Sequence, residues 1–194
     1  MEKNLTGKKV AIVVADGFEE SEFTVPLEAL KEAGADTEVI SLKPGTVKSW
    51  TNKNWGKEFT VDKSIDEVDA HDYDALLLPG GVMNPDKLRM NQEVVNFVGG
   101  FFEDFKPVAA ICHGPWTLIE TGELKGRTVT SYSSIKTDLI NAGANWVDEE
   151  VVVDQGLVTS RSPKDLPAFC KKMIEEIAEG IHAEKNQGES VSES

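Results

Sequence analysis

The residue pair with the most evident chemistry is Cys112-His113, a thiol followed at once by an imidazole and then by Gly114 and Pro115. A thiolate is a strong nucleophile, and an imidazole beside it can form an ion pair with it or take its proton. Adjacency alone does not bring two side chains together, so the pair is a candidate dyad. The four residues before it, Val108-Ala109-Ala110-Ile111, form an apolar run too short for a helix and suited to a buried central strand. Thr117, Leu118 and Ile119 then begin a helical pattern. The cysteine therefore falls on a sharp strand-to-helix turn, a nucleophile elbow with sulfur in place of oxygen. Such a position faces a crevice and the positive end of a helix together, and both are expected to lower a thiol pKa from about 8.5. The competing reading is a small buried core cysteine, yet a packed strand needs neither an imidazole nor a glycine directly after it.

Two other strings offer groups that such a thiol would use. Glu19, Glu20 and Glu22 crowd the start of a predicted helix that follows a first strand at Lys8 to Ala15 and the turn Asp16-Gly17-Phe18. Acidic residues there are also what helix capping alone would select. Glu22 is the one expected to act, because it follows the carboxyl end of a strand on the same edge as the elbow. Pro79-Gly80-Gly81 closes another apolar strand, Asp74 to Leu78. Two glycines let the backbone turn its N–H groups toward a ligand, as an oxyanion site requires, although an ordinary tight turn needs the same residues.

The remaining elements must hold these groups on one rim. Thr37 to Leu42 reads as a strand, and Pro44 to Asp62, polar and aromatic with Trp50, Trp55 and Phe59, as a small hairpin outside the main sheet. Asn84-Pro85-Asp86 opens a short helix and Asn91 to Phe105 a longer one. Gly126 to Thr130 is a strand, Ser133 to Ala142 a helix, and Trp146 to Val153 with Leu157 to Ser160 an edge hairpin. Pro163 starts a last helix running to Ala183, with Leu166, Phe169, Cys170, Met173, Ile174 and Ile177 on one stripe. Alternating strands and helices imply an α/β fold, a flavodoxin-like doubly wound and mostly parallel sheet between helices, with its ligand crevice at the carboxyl ends of the strands. Residues 1–183 form one domain and 184–194, rich in Glu, Ser, Lys and Asn, a disordered tail.

Composition narrows the partners. Twenty basic against thirty-four acidic residues give a net charge of -14, which opposes phosphate backbones and anionic membranes and suits a cytoplasmic protein. Nucleic acid and membrane are accordingly not expected as partners. Val10 to Ala15 is too short an apolar run for a signal or a span. Cys170 sits on a core stripe, so a disulfide with Cys112 is not expected, and the three histidines at 71, 113 and 182 lack zinc-site spacing. No glycine-rich phosphate loop points to a nucleotide, so no cofactor and no metal are expected.

Glu19-Glu20-Ser21-Glu22, Leu78-Pro79-Gly80-Gly81, Ala110 to Pro115, Ser131-Tyr132 and Asn141-Ala142-Gly143 through Trp146-Val147-Asp148 together resemble the PfpI-type intracellular cysteine proteases. That family lies within the class I glutamine amidotransferase-like group, which also holds the parkinsonism-associated deglycase. The likeness runs from Lys8 to Ile177. It implies Cys112 as nucleophile, Glu22 as the carboxyl bonded to its sulfur, His113 as imidazole partner, and the amides of Gly81 and His113 as oxyanion hole. It also implies an acid lent to His113 by a neighbouring subunit. Asp86 holds that place, where the archetypal protease has a glutamate one methylene longer. The other branch carries a histidine downstream of the elbow, and this chain has Ser131, Tyr132 and Ser133 there. The chain thus resembles the PfpI branch, which implies homo-oligomers, dimers that build hexamers. The implied function is cysteine-dependent hydrolysis of a small reactive carbonyl or its glycated adducts, as glyoxalase or deglycase in stress protection. An intracellular peptidase acting on peptides and a redox-sensing stress chaperone are the alternatives.

Overall fold

The computed structural model describes residues 4–182, so the predicted tail at 184–194 lies outside the described residues. The chain runs β1 (Lys9–Val13), β2 (Phe18–Glu19), α1 (Glu20–Glu32), β3 (Asp36–Ser41), β4 (Gly45–Thr51), β5 (Asn54–Val61) and β6 (Lys63–Ser64). It continues through β7 (Ala75–Leu78), α2 (Met83–Arg89), α3 (Gln92–Glu103), β8 (Val108–Ile111), α4 (Pro115–Ile119) and β9 (Thr128–Val129). The last elements are α5 (Lys136–Asn141), β10 (Asn145–Trp146), β11 (Val151–Asp154), β12 (Leu157–Ser160) and α6 (Leu166–Glu179).

Seven strands make the central sheet in the order β11-β12-β8-β7-β1-β3-β6, all neighbours parallel except the antiparallel pair β11–β12. This is the doubly wound α/β sheet expected. Its strands are apolar throughout because both faces are covered. Ala11, Val13, Leu76, Leu78, Val108 and Ala110 pack on one side with Phe97 and Phe101 of α3 and Leu118 of α4. Val10, Ile12, Leu77, Ala109 and Ile111 pack on the other with Phe23 and Leu30 of α1 and Phe169 and Met173 of α6. The alternation is the two-residue period of a strand read twice, once for each layer.

The hairpin of β4 and β5 stands outside that sheet, as expected, and β2 joins it in parallel to make a three-stranded sheet. Phe59 of β5 meets Phe18 and Phe23 with ring centroids 5.7 and 4.9 Å away, which seals the hairpin against α1. Several boundaries differ from expectation. Glu19 is extended in β2, so the helix begins at Glu20. The strand expected at Gly126 to Thr130 is only two residues long and pairs with β10 in a sheet of its own. The hairpin expected from Trp146 begins at Val151 and has an inner strand, β12, bonded to β8. Pro163 opens a single 3-10 turn before α6, which stops at Glu179 with Gly180 at φ +83°.

Candidate active site

The chain crosses from the edge strand β6 back over the sheet to β7, and the carboxyl ends of β1, β7 and β8 meet at that switch point. Cys112 leaves β8 with φ +61°, in the left-handed region that a side chain seldom occupies. Its amide donates to the Ser160 carbonyl at 3.0 Å and its carbonyl accepts the Tyr132 amide at 2.9 Å, so both neighbouring segments hold the strained turn. The elbow also requires bare backbone around it. A Cβ on Gly114 would lie 2.5 Å from the Leu78 carbonyl, and one on Gly80 would lie 2.7 Å from the Ile111 carbonyl and 2.8 Å from Cys112 Cβ.

Glu22 comes from the first turns of α1 and is fully buried. Its Oε2 accepts the Gly80 amide at 2.8 Å, and the carboxyl faces the Cys112 thiol. Oε1 is buried with no conventional hydrogen-bond donor. Burial first, with the neighbouring charge of Glu19, pushes the Glu22 pKa up to about 8. The expectation of a depressed thiol pKa is not met: burial and the Glu22 carboxylate push Cys112 well up. Two causes explain the difference. α4 has five residues, too few for a strong dipole, and the carboxyl beside the sulfur is a like charge whenever it is ionised. Near neutral pH both acids of this buried pair therefore keep their protons, and a neutral Glu22 removes the second of those obstacles to a thiolate. The amides of Gly81 and His113 both point at the sulfur and favour its anion.

His113 is also buried, and its Nδ1 lies 3.3 Å from Cys112 Sγ, so the two neighbours do meet. Nε2 lies 3.0 Å from Ser134 Oγ, and Tyr132 stacks on the imidazole with centroids 4.8 Å apart at 25°. Burial lowers the His113 pKa, which keeps the ring neutral. Asp86 is exposed on α2, and within one chain the imidazole meets Ser134 instead. A single protomer therefore brings together Cys112, His113, Glu22 and Gly81, and leaves Asp86 outside.

The sulfur opens on a cavity of about 440 Å³. Trp50, Val82, Met83, Tyr132 and Pro163 form most of its apolar wall, with Glu19 at one side. Trp116, three residues beyond His113, is not part of the lining; its indole N–H donates to Asp138 at 2.8 Å and its ring lies under the Arg89 guanidinium. A larger cleft of about 610 Å³ between the N-terminal segment and the end of α1 contains neither thiol nor imidazole, so volume does not mark the chemistry here. Outside the cavity, Glu176, Glu179 and His182 could supply metal ligands, and Glu176 and His182 pair at 3.0 Å.

Sequence reasoning passed over Trp50 and Tyr132 as site residues, although the aromatic hairpin and the Ser131-Tyr132 string were both visible. It also passed over Asn84. That buried amide accepts from the Ala15 amide at 2.7 Å and donates to the Pro79 and Gly80 carbonyls at 2.9 and 3.0 Å. It fastens the end of β1 to the double-glycine turn.

The profile of the DJ-1/PfpI family matches residues 8–176. General stress protein 18 of Bacillus subtilis (strain 168) is 50% identical over 169 residues, covering 87% of this chain and 96% of that one. Protein/nucleic acid deglycase 2 of Escherichia coli (strain K12) is 46% identical over 168 residues, covering 86% and 96%. Among solved structures, Drosophila melanogaster DJ-1beta superposes with a TM-score of 0.80 at 32% identity, covering 88% of this chain and 90% of that one.

Proposed function

Because the chain belongs to the DJ-1/PfpI family, we propose that it is a cysteine-dependent enzyme acting on small reactive carbonyls and their adducts on amines and thiols. The observation that carries this reading is the left-handed Cys112 held against a buried Glu22, with the Gly81 and His113 amides aimed at its sulfur. Cys112 gives its thiol proton to His113 Nδ1, 3.3 Å away, and its Sγ adds to the aldehyde carbon of a substrate such as methylglyoxal. The carbonyl π electrons move to oxygen, where the Gly81 and His113 amides hold them and Glu22 delivers its proton. A base, Glu22 or His113, then carries the former aldehyde hydrogen as a proton to the adjacent carbonyl carbon, while the hydroxyl on the sulfur-bearing carbon gives up its proton to become a carbonyl and the neighbouring oxygen takes up a proton to become a hydroxyl. The product on sulfur is a lactoyl thioester. Water cleaves its C–S bond, releasing lactate and returning the proton to Cys112. With an amine or thiol adduct the bond from carbon to that nitrogen or sulfur breaks as the bond to Cys112 forms, and the amine or thiol leaves with the proton that Cys112 gave up.

His113 needs an orienting partner in this scheme. Ser134 serves within the protomer, and Asp86 of a second copy is the acid that the PfpI pattern assigns to that role. The expectation that net charge excludes nucleic acid is set aside. A charge of -14 opposes a surface that grips phosphates, whereas an adduct on an exposed base needs only the cavity, and one relative is named for nucleic-acid deglycation. Cytoplasmic residence stays part of the proposal; among the described residues no helix is long and apolar enough to cross a membrane.

Cys112→Ser tests the reading, since it preserves volume and removes the thiolate. Lactate formation from methylglyoxal is expected to drop at least about 100-fold. Turnover at the wild-type rate would refute the role of Cys112. Parallel assays on short peptides measure the peptidase alternative, for which the same thiol and amides would serve.

A further inference from the structure

The cavity has an acidic and aromatic side that this chemistry leaves unused. Glu19 and Trp50 are register partners on the parallel strands β2 and β4, and both line the cavity. Glu19 is held in place: its amide donates to the Gly80 carbonyl at 3.3 Å and its carboxylate accepts from the Ser21 hydroxyl at 3.4 Å. Gly81 is what lets this backbone close in, because a Cβ there would lie 2.8 Å from the Glu19 nitrogen. Trp50 is braced edge-on by Trp55, with centroids 5.4 Å apart at 84°.

The three clustered carboxylates have divided their tasks. Glu22 faces the sulfur, and Glu20 accepts from Ser49 Oγ at 2.5 Å and the Lys57 amide at 3.2 Å. Glu19, bonded to Ser21, has neither task and lines the cavity. Among the described residues the ionisable groups of the lining are Glu19, Glu22, Cys112, His113 and Tyr132, with no lysine or arginine. A carboxylate-bearing substrate entering here meets acids and no counter-charge. A cation meets a carboxylate and an indole face.

We propose that Glu19 and Trp50 form a specificity subsite for a cationic group, selecting carbonyl adducts whose amine or guanidine portion is positively charged over neutral and anionic ones. This rests on Cys112 being the nucleophile for such adducts. Neither residue supplies a proton or a bond to the reaction; they decide which substrates reach it.

A matched set of substrates isolates charge from reacting carbon: the hemithioacetals of methylglyoxal with thiocholine, 2-mercaptoethanol and 3-mercaptopropionate, which are cationic, neutral and anionic. The wild-type enzyme is expected to favour the thiocholine adduct over the mercaptopropionate adduct by about 10-fold in kcat/KM. Glu19→Gln and Trp50→Leu should each bring that ratio toward one. A ratio unchanged in both variants overturns the subsite, while Cys112→Ser, run alongside, reports separately on the nucleophile. Should Cys112→Ser keep its turnover, selection is read by binding alone, as quenching of tryptophan fluorescence by tetramethylammonium. Binding about 10-fold tighter to wild type than to Glu19→Gln supports the subsite, and equal binding overturns it.

Discussion

Glu22 is a carboxyl without water around it, and that fact has a consequence in stability as well as in catalysis. An unfolded chain leaves it near 4.5, whereas the fold raises it to about 8. Between those values the native state keeps a proton that the unfolded state has lost. Stability is therefore full below the lower value and declines as pH rises through the window, by about 1.4 kcal/mol per unit at the steepest. Glu22→Gln keeps the acceptor for Gly80 and removes the charge. Its melting temperature should lack the decline expected of wild type from pH 5 to pH 8.5, and the variant should be the more stable protein at the alkaline end. Parallel curves for the two proteins would mean that Glu22 is not the buried acid described. The same proton supports the chemistry: while it sits on Glu22, the sulfur faces a donor instead of a like charge.

Among the elements, the small sheet of β2, β4 and β5 matters most for substrate, because it carries Glu19 and Trp50 to a site built by the large one. Glu20 ties it down. Its hydrogen bonds from Ser49 and Lys57, which also hold its pKa below the usual carboxylate value, span the foot of α1 and both strands of the hairpin. Gly56 leaves the space for that knot, since a Cβ there would lie 2.5 Å from the Glu20 carboxylate. Glu20→Ala is expected to destabilise the protein by about 1 kcal/mol, the net worth of a largely solvated set of bonds, or about 3 °C in Tm. Because the Trp50 wall loosens with the hairpin, KM for carbonyl substrates should rise more than kcat falls. Unchanged Tm and KM together would show that the hairpin is held by Phe18, Phe23 and Phe59 alone.

At the scale of the whole molecule the open matter is whether one chain suffices. Ser134 gives His113 a partner inside the protomer, and Asp86 stands exposed on α2, where a second copy could present it. Mixing decides between them. If Asp86 acts across a two-fold interface, Asp86→Ala and Cys112→Ser are each inactive, and subunit exchange between them should restore about a quarter of wild-type activity, the share of intact sites in a statistical mixture. Full activity of Asp86→Ala alone would assign the orienting role to Ser134. Much of this protein was legible in its residues taken singly and in order. Apolar runs bounded by glycine gave the layered α/β sheet, and Val108 to Gly114 gave the elbow, because strand period and turn chemistry are local properties. The left-handed strain at Cys112 follows from the same short string. What residues in order could not supply was the distance between strings. The raised pKa of Cys112, the turn of Trp116 away from the cavity, the arrival of Trp50, Tyr132 and Ser134, and the separate tasks of three neighbouring glutamates depend on burial and on contacts between residues about 20 to 90 positions apart. Solvation and Coulomb energy are set by what surrounds a group in space, and only the packed chain determines that.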